Sequence, residues 1–441
     1  MNTSLVKSRR ANKSALLLYL LFGIGIGLAA GYIAFSGGGV PPQSSGTTQA
    51  PAPSPSISDV RNVALNRDTA PLPPEPDELP PYALLPEEVE LTAEQVDQAN
   101  IKPGNFLFIG IPGQSLDDST RAFIKEAQPG GIVLTGSNIR SRAQTIELIS
   151  AIKEAAGNGM GIADLPLIAV DQEGGPVNRL RLQDAPSARE LGQFKDPARA
   201  REVAAAYGVA CTARGIGVVF APVMDVFVEG ANPGFRERTF SDDPGEVTAL
   251  GLAFADGLMK AGVLPVVKHY PGHGAVMEDS HEKLAHITKD AREVAHIMFP
   301  FHEAANFDVP GIMIGHIAVP VLDKENPDRP ASLSPVLIQD YLRRRWNYSG
   351  VVISDDLNMG AITRDYTRAG AVVASLKAGC NAVIFLETDR GVLQEVLTAI
   401  EDAMASEELP KRRLVVSKRR LEAWQDFHRQ PQRLKGSLPT I

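Results

Sequence analysis

Leu264-Pro265-Val266-Val267-Lys268-His269-Tyr270-Pro271-Gly272-His273-Gly274 is a short apolar run that ends in charge and then in a turn punctuated by proline and glycine. Residues 264–269 read as a strand covered on both faces, since a brief apolar run bounded by turn signals suits that environment. A lysine and a histidine at the end of an otherwise apolar strand need a purpose. Shortly after Gly274 comes Asp279-Ser280-His281, so three of the chain's 8 histidines fall close together beside a lysine and a carboxylate. Histidine titrates near neutrality, and a carboxylate two residues away can fix its ring orientation and tautomer, which suits proton transfer. Gly272 and Gly274 are expected to act as hinges for this loop.

Working outward, the same pattern recurs along the chain. Candidate strands at 105–111, 131–135, 167–171, 217–222, 311–316, 350–355 and 382–386 join 264–269. Helical patterns lie between them at 119–127, 143–155, 198–214, 244–261, 291–305, 334–345 and 369–378, with 393–405 closing the series. Apolar strands with covering helices predict a parallel sheet. Eight such β/α units predict a (β/α)8 barrel of the TIM type. Asp171, Lys268, His269, His316 and Asp355 stand at or just after the C-terminal ends of different strands, where such a barrel builds its active site. A doubly wound open sheet is the competing architecture; no glycine-rich phosphate fingerprint opens the first helix, which argues against it.

The 441 residues carry a net charge of −8, and a tip holding Lys7, Arg9, Arg10 and Lys13 makes the remainder more acidic still. An acidic body argues against nucleic acid as a main partner. Residues 15–35 are uncharged and mostly apolar, about as long as the ~20 residues a bilayer-spanning helix needs. The basic flank puts residues 1–14 in the cytoplasm. A cleaved signal peptide is the rival reading, but its apolar core is typically only about 7–15 residues. The expectation is therefore a single-pass anchor with the catalytic part outside the cytoplasm. Residues 36–90, including Pro71-Leu72-Pro73-Pro74-Glu75-Pro76, are too poor in apolar side chains to bury a core and read as a disordered, semi-extended tether. Residues 91–441 read as the catalytic barrel with a terminal helix near 414–427. Cys211 and Cys380 are too few for a disulfide framework and read as two separately buried thiols.

The loop quoted above is one of several stretches that carry a family resemblance. Val170-Asp171-Gln172-Glu173-Gly174-Gly175, Phe220-Ala221-Pro222-Val223-Met224-Asp225, Arg238-Thr239-Phe240, His316-Ile317 and Ser354-Asp355-Asp356-Leu357-Asn358-Met359 stand in matching order. The chain resembles family 3 glycoside hydrolases, in the β-N-acetylhexosaminidase branch, over roughly residues 105–405. The resemblance implies a retaining hydrolase, without metal or other cofactor, that releases terminal N-acetylglucosamine from β-linked glycans. For an anchored, outward-facing enzyme the substrates would be peptidoglycan fragments, although chitin-derived glycans satisfy the same pocket.

By the same resemblance, Asp355 is the nucleophile that forms a glycosyl-enzyme, and His281 is the acid/base, paired with Asp279. Asp356 is expected to point away from Asp355 if the strand pleat continues. Asp171 would accept hydrogen bonds from sugar hydroxyls, and Arg179, Arg238, Lys268 and His269 would donate to them. Arg179 and Arg238 have an alternative as structural ion-pair partners, and Arg236 rivals Arg238. Pro176 stands where the family usually has arginine, which puts in doubt any contact made there. Family 3 glucosidases draw their acid from a second domain after the barrel; beyond residue 405 the sequence suggests only a helix and a tail. Two readings of other classes compete: a metal-dependent hydrolase with His269, His273, His281 and Asp279 as ligands, and a catalytically dead sugar-binding module.

Overall fold

The computed structural model describes residues 91–157 and 165–429. Eight parallel strands, β1 Leu107–Ile109, β2 Gly131–Leu134, β3 Leu167–Val170, β4 Val218–Val219, β5 Leu264–Tyr270, β6 Gly311–Ile314, β7 Val351–Asp356 and β8 Ala382–Phe385, close into a barrel. Each pairs with its neighbour in chain order, and β1 returns to β8 through Leu107 opposite Val383. Every residue of β5 is buried, as an apolar strand with helices outside and side chains inside must be. Most strands are shorter than the sequence suggests, as where Asp171 and His316 stand just past the ladders of β3 and β6, whereas β5 runs one residue further, through Tyr270, and keeps Lys268 and His269 within it. In β4 the ladder also stops at Ala221-Pro222, since proline has no N–H to donate.

The ring of helices is α1 Asp118–Ala127, α2 Arg142–Ala155, α3 Pro197–Thr212, α4 Pro244–Lys260, α5 Ala291–Asn306, α6 Val336–Arg345, α7 Arg368–Ala378 and α8 Arg390–Ala405. Caps set most of their starts. Asp117, Ser141, Asp290 and Asp389 each accept a hydrogen bond from the amide three residues on, satisfying a donor the helix leaves open. In α3 and α4 an aspartate cap is followed by proline at the first helical position, where no N–H is needed. The sequence gives no sign that α6 is wound as a π-helix.

The last helix, α9 Lys411–Arg429, stoppers the N-terminal mouth of the barrel. Its Trp424 indole donates to the Pro310 carbonyl just before β6 at 2.9 Å and meets Phe108 of β1 edge-on. Arg420 donates to the Ser349 carbonyl below β7, and Asn381, just before β8, donates to Ser417. The domain begins at the same end, where Leu91, Val96 and Ile101 cover Val415 and Val416 in a small second core. Cys211 and Cys380 are buried, separate free thiols. The anchor and tether expected over 15–35 and 36–90 lie outside the described residues; among those residues no helix is long and apolar enough to cross a membrane.

Candidate active site

The C-terminal ends of the strands surround a cavity of about 230 Å³, and its wall brings together Asp171, Arg179, Arg238, Lys268, His269, His281 and Asp355. Asp279 stands behind His281 rather than on the wall. Residues up to 184 positions apart in sequence thus converge because each leaves the barrel at the same end.

A buried charge network forms one side. Lys268 Nζ donates to Asp171 Oδ1 at 2.5 Å and lies 2.7 Å from Glu173 Oε1. Arg238 grips Glu173 with two parallel bonds, Nε to Oε2 at 2.9 Å and Nη2 to Oε1 at 2.8 Å. Burial works against the Glu173 charge, but Lys268 and Arg238 outweigh it and hold the carboxyl well below its usual range. Burial likewise presses Lys268 down, and Asp171 and Glu173 bring it back above its ordinary value. Glu173, Lys268 and Arg238 therefore stay charged at neutral pH, stabilised by one another rather than by water. The ion-pair alternative considered for Arg238 is thus realised through Glu173, while the guanidinium still borders the cavity and lies over the Phe235 ring. Arg179 also borders the cavity, its side chain running past Gly136. Arg236 has its guanidinium over Phe227. Pro176 is exposed in the turn of a two-stranded hairpin, Gln172–Gly174 with Val177–Asn178.

Glu173 and Asp225 lie within the motifs that carry the resemblance, and the structure adds both to the surroundings of the cavity. Asp225 is fully buried and organises two histidines: Oδ2 takes His269 Nδ1 at 2.8 Å, and Oδ1 takes the His273 amide at 2.6 Å. The signal available was a carboxylate at the end of a strand motif, the same signal that singled out Asp171. The histidines weighed as a metal set have separate partners, His269 with Asp225, His273 with Ser280 and His281 with Asp279.

Asp355 and Asp356 both line the cavity, which corrects the expectation that Asp356 points away. The pairing register of β7 with β8 shifts between Ile353 and Asp356, so the alternation of the pleat does not continue there. Burial works to raise the Asp355 carboxyl. The His269 and His316 rings, the Asp356 amide donating at 2.8 Å and the Lys268 ammonium outweigh burial and hold it below its usual value. Asp356 meets the opposite balance. Burial and then the Asp355 charge overcome hydrogen bonds from the Leu386 and Asn358 amides, and its carboxyl is pushed up to about 6. Beneath them His316 is fully buried, its Nε2 donating to the Asp356 carbonyl and its Nδ1 meeting the Ser332 hydroxyl, both at 2.8 Å. Burial lowers its pKa despite the Asp355 charge, consistent with a neutral ring.

The loop after β5 folds over this floor. Asp279 Oδ1 accepts from His281 Nδ1 at 2.8 Å and from its amide at 2.9 Å, so the carboxylate fixes the ring from one side and leaves Nε2 free. Burial raises the Asp279 carboxyl, and the bonds from His281 together outweigh it and bring it below its ordinary value. Gly272 and Gly274 do not act as simple hinges. Gly272 has φ of 143° and a Cβ there would lie 2.2 Å from Ile297, while one at Gly274 would lie 2.4 Å from the Val226 carbonyl. These glycines pack the loop base against α5 and the β4 loop. The Val228 and Asn232 amides then hold the carbonyls of Gly274 and Val276, and Ala285–His286 pairs with Ile317–Ala318 at the far end.

The mouth of the (β/α)8 barrel thus sets the part-buried Asp355 carboxylate and the hydrogen-bonded His281–Asp279 pair beside one cavity, with the charges of Asp171, Glu173, Arg238 and Lys268 on its wall. The model of the glycosyl hydrolase family 3 N-terminal domain matches residues 90–423. The chain is 34% identical over 302 residues to a β-hexosaminidase from Methylococcus capsulatus, covering 67% of this chain and 86% of that one. It is similar to the structure of a glycoside hydrolase family 3 β-N-acetylglucosaminidase from Paenibacillus, with TM-score 0.69 and 30% identity, over 77% of this chain and 63% of that one. A family 3 member from Mycobacterium smegmatis aligns with TM-score 0.65 and 32% identity, over 75% of this chain and 98% of its own. The chain belongs to glycosyl hydrolase family 3, in its β-hexosaminidase branch, and is a glycoside hydrolase.

Proposed function

We propose that this protein is a retaining β-N-acetylhexosaminidase that releases terminal N-acetylglucosamine from β-linked glycans through a covalent bond to Asp355. The observation that carries the reading is the presence, around one cavity, of a part-buried anionic carboxylate and the Asp279–His281 pair. Relatives named β-hexosaminidase and β-N-acetylglucosaminidase support it.

In the first step an Asp355 oxygen attacks the anomeric carbon as the glycosidic bond breaks, and His281 Nε2–H gives its proton to the departing oxygen. In the second step the same nitrogen takes a proton from water as that water displaces Asp355 from the sugar. A histidine in this role avoids the repulsion that a second carboxylate would suffer beside Asp355. Asp279 stabilises the protonated ring. Asp171 accepts from sugar hydroxyls with the oxygen not used by Lys268, while Arg179, Arg238, Lys268 and His269 donate. Residues 15–35 serve as a retained anchor in this reading, with the barrel outside the cytoplasm and peptidoglycan fragments as its substrates.

The test is product analysis of the fragment from Leu91 onward with muropeptides and with chitooligosaccharides. Release of β-configured N-acetylglucosamine from the non-reducing end is expected, faster from muropeptides. An α-configured first product rules out the covalent mechanism, and preference for chitooligosaccharides rules out the proposed substrate.

A further inference from the structure

Ser280 lies between two exposed catalytic-loop side chains and is itself buried. Asp279 and His281 are 45% and 70% exposed, whereas Ser280 is 2% exposed and its hydroxyl meets His273 Nε2 at 2.7 Å. His273 is fixed to the barrel end. Its amide donates to Asp225 and its ring stacks on Phe235, with centroids 4.1 Å apart and planes at 11°. Asp225 also holds His269 of the sugar pocket, so one chain of contacts runs from that pocket to the residue inside the Asp279–His281 pair. Burial, with His269 nearby, lowers the His273 ring to about 4, leaving it neutral at pH 7. Its Nδ1 is buried without a hydrogen-bond partner. Leucine or phenylalanine would pack on Phe235 without that penalty, so the bond to Ser280 is what an imidazole adds here.

The loop is seated from its other side by the segment after β7. The Ala361 amide donates to the Ser280 carbonyl and the Gly360 amide to the His281 carbonyl, both at 3.1 Å. A Cβ on residue 360 would stand 2.5 Å from the His281 oxygen and 2.8 Å from that of Glu282, so only glycine lets the loop come down here. We infer that His273, Ser280 and Gly360 are positioning residues forming a latch that seats the loop over the cavity with His281 Nε2 facing the leaving group. The inference rests on the reading of His281 as acid/base.

The test uses Ser280→Ala, His273→Leu and Gly360→Ala in the full chain. Loss of one ordinary hydrogen bond shifts a seated-loop equilibrium by about 3- to 10-fold. Turnover of an N-acetylglucosaminyl disaccharide should fall by that factor in Ser280→Ala and His273→Leu and by at least that factor in Gly360→Ala, with an activated aryl glycoside little affected. Amide exchange at Gly360 and Ala361 should quicken in Ser280→Ala and His273→Leu while global melting stays put. Adding Ser280→Ala to His281→Ala should cost nothing further. Equal losses on both substrates, unchanged exchange, or an added loss in the double variant overturns the latch alone, provided His281→Ala itself discriminates by leaving group. If His281→Ala does not discriminate, the acid/base reading falls and the latch with it.

Discussion

Asp355 and Asp356 are adjacent in sequence and share one cavity, yet their partners give them opposite character. Asp355 is held ionised by the rings and ammonium around it, whereas Asp356 accepts from the Leu386 amide at the end of β8 and the Asn358 amide of its own turn and is pushed up to about 6. Asp355→Ala should lower turnover of an aryl N-acetyl-β-glucosaminide by roughly three orders of magnitude or more with the fold intact. A 2-fluoro or 5-fluoro sugar should label the peptide containing Asp355; a label elsewhere excludes it as nucleophile. Asp356→Asn retains an oxygen for both amides and should keep most activity. Because the folded pKa of Asp356 lies above the ordinary aspartate value of 3.8, its favourable contribution is full below about pH 4 and is lost as pH rises through about 6. At pH 7 the ionised group costs up to about 3 kcal/mol. The asparagine variant should therefore melt above the wild type at pH 7, with the gap closing towards pH 4; an equal gap at both values would mean that Asp356 does not titrate there. Residue identities at strand ends were legible because charge ending an apolar run is conspicuous. The partners of Arg238 and His269 were not, since Glu173 and Asp225 are 65 and 44 positions away and sequence alone does not set that distance in space.

At the scale of elements, all eight strands and eight ring helices stand where the periodicity predicts, with boundaries moved by caps at helix starts and by departing polar residues at strand ends. The loop after β5 was legible in composition but not in conformation, because its glycines answer to Ile297 and Val226, neighbours supplied by other elements. General acid/base catalysis is typically worth about 10²–10⁴-fold, and His281→Ala should lose that much on a natural disaccharide and far less on an activated aryl glycoside. Azide should restore part of the aryl turnover, since the glycosyl-enzyme still forms but hydrolyses slowly. Asp279→Asn should give a smaller loss of the same kind. The Asp279 carboxyl lies below its ordinary value, so its charge is present throughout the working range. Removing that charge disfavours the protonated ring, and the descending limb of the pH–rate profile should move to lower pH. A stationary limb, or equal losses on both substrates, excludes the pair as acid/base.

For the molecule as a whole, the two ends of the barrel divide the work. The C-terminal mouth gathers charge that water would otherwise solvate, and the N-terminal mouth is closed by α9, whose Trp424 and Phe427 join the core. Trp424→Ala would leave a cavity against Phe108 and Gly311 and remove one of the two hydrogen bonds to the Pro310 carbonyl, a loss of about 3–5 kcal/mol for a buried tryptophan. Denaturant unfolding should show that loss while the remaining folded enzyme keeps its kcat; a comparable fall in kcat would mean that the stopper also shapes the site. The segment 91–101 belongs to the same closure, because Leu91, Val96 and Ile101 cover Val415 and Val416, and Leu91 also receives Arg412 at its carbonyl. A fragment starting at Leu91 should therefore fold, stay in solution and turn over an aryl glycoside, whereas one starting at Gly104 should melt lower by exposing those valines. The full chain should behave differently from the Leu91 fragment in one respect. Its basic tip and the apolar residues 15–35 should carry it into the membrane fraction, resistant to high salt and released by detergent, and protease added to spheroplasts should remove the catalytic activity. Recovery of the full chain mainly in the soluble cytoplasmic fraction would exclude the anchor and leave the barrel's chemistry untouched.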